Sequence, residues 1–429
     1  MVVSLFNLIN QPTSQPTMSS LQFASRLDNV STSAIREIFK LLGRPGIISF
    51  AGGFPDPALF DVDGIREATG QALSDAAAGA VLQYGATEGW QPLREAVAVH
   101  MATKGINVQP DGLICTTGSQ QALDLIGKTM ISPGDKVIVE GPTFLATIQC
   151  FKLYGADLIS APIDPGGVQV DQLEKLIVEH KPKLVYLIPS FGNPSGAMMP
   201  LERRQKILQL ALEHKVLVVE DDPYGELYFD QPPPPSIMAL SRDMPEARAY
   251  LAYCGSFSKV LSPGLRVGWM IAPPELLAKA VMCKQFSDAH TSNLSQAIAA
   301  NYLQLKDGEQ SRLDKSLAVV RSTYAQRAHT MAACLQRQLG NALTYTQPQG
   351  GMFFWTRLTG QPTPGSSTAN TQDATAYAKR APDHGIAFVP GAPFYANNPD
   401  NATLRLSYAT SDLGKIEEGV ARLAKALPV

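Results

Sequence analysis

Between Gly112 and Ile271, short apolar β-prone runs alternate with amphipathic stretches of helical period, and that alternation leaves few architectures open. The strand-like runs are Gly112–Thr116, Lys136–Glu140, Gly155–Ala161, Leu184–Ile188, Val216–Glu220, Tyr250–Cys254 and Arg266–Ile271. Helix-like runs between them are Gln120–Met130, Thr143–Tyr154, Val170–Lys181 and Leu201–His214. The pattern predicts an α/β fold with a mostly parallel sheet covered by helices. In such sheets ligands bind beyond the C-terminal ends of the strands, so the residues after each strand carry most of the functional information.

The flanks complete the organisation. Ser31–Leu42 reads as a short amphipathic helix, capped by Ser31–Ser33 and followed by Gly43 and Pro45, after a loose polar arm. Residues 61–80 and Leu93–Lys104 are also helical in pattern, and a long helical stretch is expected from about Pro274 through Gln338. Beyond it Gly351–Arg357, Ile386–Val389 and Thr403–Ser407 read as strands. At 429 residues the chain is long enough for two domains. The expected division is 1–60 as arm, helix and part of a small domain, 61–300 as a large domain, and 301–429 as the rest of a smaller α/β domain.

Composition removes several function classes. A formal net charge of −2 gives no electrostatic case for nucleic acid or an anionic membrane, and no stretch approaches a transmembrane span. Five cysteines are scattered without a C-x-x-C pair, which suits reduced core residues of a cytoplasmic protein. The six histidines make no metal-ligand spacing, so no metal site is expected.

At the strand ends, polar residues gather. Ser256-Phe257-Ser258-Lys259 follows the strand at Tyr250–Cys254, with Arg266 shortly after. Two hydroxyls and a guanidinium there suit a phosphate, leaving the lysine amine to form a Schiff base with a carbonyl cofactor such as pyridoxal phosphate. A solvated loop lysine is the other reading of that residue alone. Gly118-Ser119-Gln120 opens a helix whose free N–H groups favour an anion, unless Ser119 is a plain N-cap. Phe144 after the strand ending at Glu140 is either a ring-stacking face or a core residue. Asn193-Pro194-Ser195-Gly196 is a turn that also presents a side-chain amide. Glu220-Asp221-Asp222 ends an apolar strand with three carboxylates, one of which facing a pyridine nitrogen would keep it protonated. Arg405, within an alternating strand, is either outward-facing or matched to a carboxylate. Gly52-Gly53 permits close backbone approach to a ligand.

Taken together and in order, Tyr84, Ser119-Gln120, Asn193–Gly196, Asp221–Tyr224, Ser256–Lys259, Arg266 and Arg405 resemble the fold-type I, pyridoxal-phosphate-dependent aminotransferases of class I/II, over nearly the whole chain. Ile35–Ile38, Phe50–Pro55 and Val389–Phe394 make it most similar to the 2-aminoadipate and kynurenine/aminoadipate branch. The resemblance implies that Lys259 carries the cofactor and acts as general base, and that Asp221 pairs with the pyridine nitrogen. Asn193 and Tyr224 would bond the ring's phenolic oxygen, while Ser119, Gln120, Ser256, Ser258 and Arg266 hold the phosphate. Tyr84 would reach that phosphate from the neighbouring subunit of a homodimer. Phe144 would stack on the ring, Arg405 would take the substrate α-carboxylate, with Asn193 and Gly53 against the substrate, and Arg36 would read a distal carboxylate if its helix closes over the site.

The implied reaction moves an amino group between an L-amino acid (2-aminoadipate, glutamate, aromatic or branched aliphatic) and a 2-oxo acid such as 2-oxoglutarate, in a ping-pong cycle through the aminated cofactor. Two departures stand out: Phe144 replaces a tyrosine common in close relatives, and Ser195 replaces the commoner threonine. Other readings on the same fold are a β-lyase or decarboxylase, or the effector domain of a transcription regulator, which would need an N-terminal winged helix that the stretch before the first expected helix does not supply. A nicotinamide-linked dehydrogenase is disfavoured because no G-x-G-x-x-G follows the first strand.

Overall fold

The computed structural model describes residues 21–28, 45–365 and 371–427. The helix expected at Ser31–Leu42, and Arg36 with it, lies outside the described residues.

The alternating segment forms an eight-stranded sheet. Its strands are β1 (Leu113–Thr116), β2 (Lys136–Gly141), β3 (Asp157–Asp164), β4 (Gly167–Val168), β5 (Leu184–Leu187), β6 (Leu217–Asp221), β7 (Leu251–Ser256) and β8 (Gly268–Ile271), in spatial order β1-β8-β7-β6-β5-β2-β3-β4. Pairings β3–β2–β5–β6–β7 are parallel, β8 runs antiparallel between β7 and β1, and β4 turns back on β3. Strands β5, β6 and β7 are buried along their length and apolar up to their C-terminal ends, as expected where helices cover both faces.

The helix expected over 61–80 is split into α1 (Val62–Ala72) and a single turn at Ala78–Val81, whereas helices α2 (Gln91–Thr103), α3 (Ser119–Met130), α4 (Leu145–Leu153), α5 (Val170–His180) and α6 (Leu201–His214) fall where periodicity places them, within a few residues. The predicted long helical stretch is instead three helices, α7 (Pro274–Ser287), α8 (Asn293–Gln304) and α9 (Arg312–Leu339). It breaks where Ser292 caps α8 and where a hairpin pairs Lys306–Asp307 with Gln310–Ser311, turning at Gly308 with φ +64°. A further correction concerns Arg266, expected within a strand. It follows the turn Pro263–Leu265 with φ +54°, and β8 starts only at Gly268.

A four-stranded antiparallel sheet follows, built from β9 (Leu343–Tyr345), β10 (Phe353–Leu358), β11 (Val389–Pro390) and β12 (Thr403–Ser407) in the order β9-β10-β12-β11. Helix α10 (Leu413–Ala426), which the sequence reading did not anticipate, packs on α9. The segment Ile48–Ala51 is stitched into this region: Ile48–Ser49 pairs with Ile386–Ala387, Phe50 N–H donates to Ala387 O (2.7 Å), and Ser407 N–H donates to Phe50 O (2.8 Å). That backbone tie carries Gly53 towards the C-terminal ends of the large sheet.

Asp61 joins three helices. It accepts from Gly64 N–H at the start of α1 (3.0 Å), from Tyr302 Oη on α8 (2.9 Å), and from both Nε (2.7 Å) and Nη2 (2.8 Å) of Arg312 on α9. The Arg312 hydrogen bonds hold its carboxyl below the usual carboxylate range, outweighing partial burial. Losing the cap and a partly buried pair together, Asp61→Ala should cost about 2–3 kcal/mol, read as a lower urea midpoint with an unchanged slope. Because the folded-state pKa is depressed, the contribution is present above the ordinary carboxylate value and is lost as pH falls through the folded one. The gap between wild type and variant should therefore close in acid.

Candidate active site

A cavity of about 470 Å³ opens where β1, β2, β5, β6 and β7 end. Its walls include Gly53, Ser119, Gln120, Phe144, Asn193, Asp221, Tyr224, Ser256, Ser258, Lys259, Arg266 and Arg405, so nearly every described residue singled out in the sequence lies on one surface. Tyr84 is the exception. It is 85% exposed, lies off the cavity, and meets His290 edge-on at 5.9 Å.

The three carboxylates at the end of β6 are sorted by the strand's alternation. Glu220 points away, accepts the N–H groups of Ile237 (3.0 Å) and Met238 (2.9 Å), and is pushed up to about 7 by burial. Asp222 holds the next turn through Gly225 N–H (2.9 Å) and Tyr253 Oη (2.9 Å). Asp221 alone faces the cavity, 2% exposed. Its Oδ2 accepts from Tyr186 Oη at 2.7 Å, whereas Oδ1 is buried with no partner. Burial pushes the carboxyl up to about 7 against the Tyr186 hydrogen bond, a tension that a cationic N–H at Oδ1 would relieve.

Lys259 sits on the turn that follows β7. Its Nζ donates to Gly53 O at 2.8 Å, and burial, then the charges of Arg405 and Arg266, lower it to about 8. The neutral fraction that a nucleophile or general base requires is therefore roughly a tenth to a fifth near neutral pH, far above the trace that an ordinary lysine offers.

Arg405 on β12 is 3% exposed. Nη1 donates to Asn193 Oδ1 and Nη2 to Ala51 O, both at 2.7 Å, while Nε has no partner. The guanidinium carbon lies 4.4 Å from the Phe353 ring centroid and 5.1 Å from that of Phe394. With only neutral acceptors around it, burial lowers its pKa to about 10. It is a preformed site for a planar anion. Because Asn193 spends its oxygen on Arg405, its amide N–H₂ is left for another acceptor.

An anion cradle lies at the far side. Gly118, with φ +79°, caps α3 without any side-chain acceptor, so the first N–H groups of the helix stay open, and Ser119 is the first helical residue rather than its cap. The turn approaches β8 so closely that a Cβ on Gly268 would lie 2.7 Å from Ser119 N. Ser256 Oγ donates to Ser258 Oγ (3.0 Å), and Arg266 reaches Ser258 Oγ (3.4 Å) and Thr117 O (3.1 Å). Phe144 sits half-buried at the start of α4 and gives the cavity an aromatic wall.

Sequence reasoning missed Tyr186, Phe353 and the bed beneath the cradle. A tyrosine inside the otherwise aliphatic run Leu184–Leu187 was the available signal for the first. The cavity can thus take a ring cation, a carbonyl, a phosphate-like anion and a carboxylate in one place.

Comparison with known proteins gives the same chemistry. Residues 53–423 match the family model for aminotransferase class I and II. The 2-aminoadipate transaminase of Thermus thermophilus is 42% identical over 96% of this chain and 98% of its own. The solved α-aminoadipate aminotransferase from the same species, complexed with N-(5'-phosphopyridoxyl)-L-leucine, superposes with a TM-score of 0.83 at 40% identity (94% and 96% covered). A kynurenine aminotransferase of Pyrococcus horikoshii in complex with PMP gives 0.85 at 37% (94% and 96%). The chain belongs to the class I and II aminotransferases, enzymes of fold type I, and its cofactor is pyridoxal 5'-phosphate.

Proposed function

We propose that the cavity holds pyridoxal phosphate with the ring nitrogen at Asp221, the aldehyde at Lys259 and the phosphate at Ser119, Gln120, Ser256, Ser258 and Arg266, and that Arg405 takes the α-carboxylate of amino acids and 2-oxo acids. The observation that carries this is the convergence of Asp221, Lys259 and Arg405 on one cavity, with no ion-pair partner for any of them among the described residues. The orphaned Asp221 Oδ1 fits a pyridinium N–H, and the open α3 N-terminus fits a phosphate.

Bound there, the cofactor supplies an electron sink and carries the amino group between substrates. The chain's own residues do the rest. Asp221 keeps a proton on the ring nitrogen. Tyr224, raised above its ordinary pKa chiefly by burial, stays protonated and donates to the ring's phenolic oxygen together with the Asn193 amide. Phe144 covers one ring face. Arg405 and Asn193 fix the substrate's carboxylate, and Gly53 keeps the backbone low beside it. Lys259 Nζ takes the α-proton and returns it.

The walls beyond the reacting centre are Phe54, Leu145 and Phe394 with Gln149, which suits aromatic and aliphatic side chains. Arg36, which lies outside the described residues, would add a grip for a distal carboxylate, so the donors proposed are 2-aminoadipate, glutamate, aromatic and branched aliphatic amino acids, with 2-oxoglutarate as acceptor. Similarity to a 2-aminoadipate transaminase and to an aromatic-amino-acid aminotransferase supports that breadth. The enzyme works as a homodimer in which Tyr84 enters the partner's site; the exposure of Tyr84 and of Phe286 (84%) supports this. Residues 61–300 carry the cofactor cradle, and 301–429 with 1–60 carry the substrate grip. Five unpaired cysteines suit a cytoplasmic enzyme, and no described helix is long and apolar enough to cross a membrane.

Lys259→Ala should retain cofactor binding through the remaining contacts and lose measurable turnover; transamination at even a hundredth of the wild-type rate, about two decades, would remove Lys259 from its role. In wild-type apoprotein, cofactor capture needs the neutral amine. Its rate should rise with pH and level above about 8, falling roughly tenfold per unit below that. Removing one cationic neighbour in Arg405→Leu should move the break upward, as stopped-flow absorbance would show. Arg36→Gln should raise KM for 2-aminoadipate about tenfold, the worth of one charge-assisted contact, and leave leucine and phenylalanine unaffected in steady-state assays.

A further inference from the structure

Beneath the anion cradle lies a polar cluster that takes no part in the roles above. Lys284, on α7, has a side chain with no exposed surface. Its Nζ donates to Gln121 Oε1 (2.9 Å) and to both oxygens of Asp288 (2.8 and 3.0 Å). Gln121, in the first turn of α3, is gripped at both ends. Its Nε2 donates to Asp288 Oδ2 at 2.7 Å, and its Oε1 also accepts from Thr117 N–H at 2.8 Å. Thr117 Oγ1 donates to Asp288 Oδ2 (3.1 Å) and lies 3.2 Å from Thr291 Oγ1, while Thr117 O receives Arg266 Nη2 at 3.1 Å.

Thr117 therefore has its N–H, its hydroxyl and its carbonyl all engaged, two of the three by this cluster. It immediately precedes Gly118, the residue whose φ of +79° aims the open N–H groups of α3. The third contact is with Arg266, a wall of the cavity. Packing of α7 against α3 would be satisfied by apolar residues of similar volume at less cost than a buried ammonium. What the ammonium adds is direction. It fixes which way the Gln121 amide faces, and so which group Thr117 N–H meets.

We infer that Lys284, through Asp288 and Gln121, is a positioning residue for cofactor phosphate: it locks the Thr117-Gly118 turn so that the α3 N-terminus and Arg266 converge on one anion. The inference rests on the reading that this cradle takes the phosphate. It predicts a defect confined to the phosphate end of the ligand, which general destabilisation would not produce.

The test is titration of apoprotein with pyridoxal 5'-phosphate and, separately, with pyridoxal, which lacks only the phosphate, followed by absorbance and protein fluorescence. Thermal unfolding of each apoprotein is recorded alongside. Lys284→Met should weaken pyridoxal phosphate binding roughly tenfold or more, the equivalent of one charge-assisted hydrogen bond, while pyridoxal affinity changes less than about twofold. Gln121→Met, on the first turn of a helix whose apolar face is untouched, should give the same selective loss if Lys284→Met does not fold. Equal weakening towards both ligands, or unchanged affinity for pyridoxal phosphate in a folded variant, would overturn the inference. Should the wild type itself fail to prefer pyridoxal phosphate over pyridoxal, the phosphate assignment of the cradle would be at fault, and the inference would fall with it.

Discussion

Charge held out of water without a counter-ion is the constraint on which the structure turns. Taking a carboxylate or a guanidinium from water into a protein costs several kcal/mol per ion unless something replaces the hydration. Asp221 and Arg405 are both nearly inaccessible, and both are met only by neutral groups that leave part of each unsatisfied. Their pKa values move in the direction that burial dictates, up for the acid and down for the base. On the proposed reading, a cationic ring nitrogen at one and a carboxylate at the other would offset both penalties at once, so the cost of burying these two groups is what gives the site its affinity.

Lys259 belongs to the same balance. Two of the causes that lower it are guanidinium charges, Arg405 and Arg266, after burial itself. On the proposed reading each of those cations acquires an anion, a carboxylate at one and a phosphate at the other. The basicity of the amine then depends on what else is bound, which ties its proton chemistry to an occupied site.

Much of this was legible in the sequence, and the rest was hidden for physical reasons. Apolar runs such as Val216–Val219 locate strands because a buried parallel strand has to be apolar on both faces. Once they are located, Asp221 and Lys259 follow as residues just past strand ends. What pattern reading cannot supply is contact between segments far apart in the chain. Arg405 reads equally well as an outward-facing strand residue until β12 is paired with β10 and Phe353 is seen beneath it. Tyr186 looks like one more core residue until the register of β5 against β6 sets it near Asp221. The break-up of the expected 274–338 helix depended on one serine cap and a two-residue turn, weak signals inside a strong helical period. Lys284 gave no signal at all, since a lysine within a helical stretch reads as solvated.

The central claim is that the site shuttles an amino group through its own cofactor in two separable halves. Its most direct test is the absorbance spectrum of the holoenzyme with one amino acid and no oxo acid. The account predicts that the long-wavelength band of the lysine-linked cofactor disappears with glutamate or 2-aminoadipate, that one equivalent of 2-oxo acid is formed per active site, and that the band returns on adding 2-oxoglutarate. Continuous product formation without an oxo acid, or a band that amino acids leave unchanged, would contradict it.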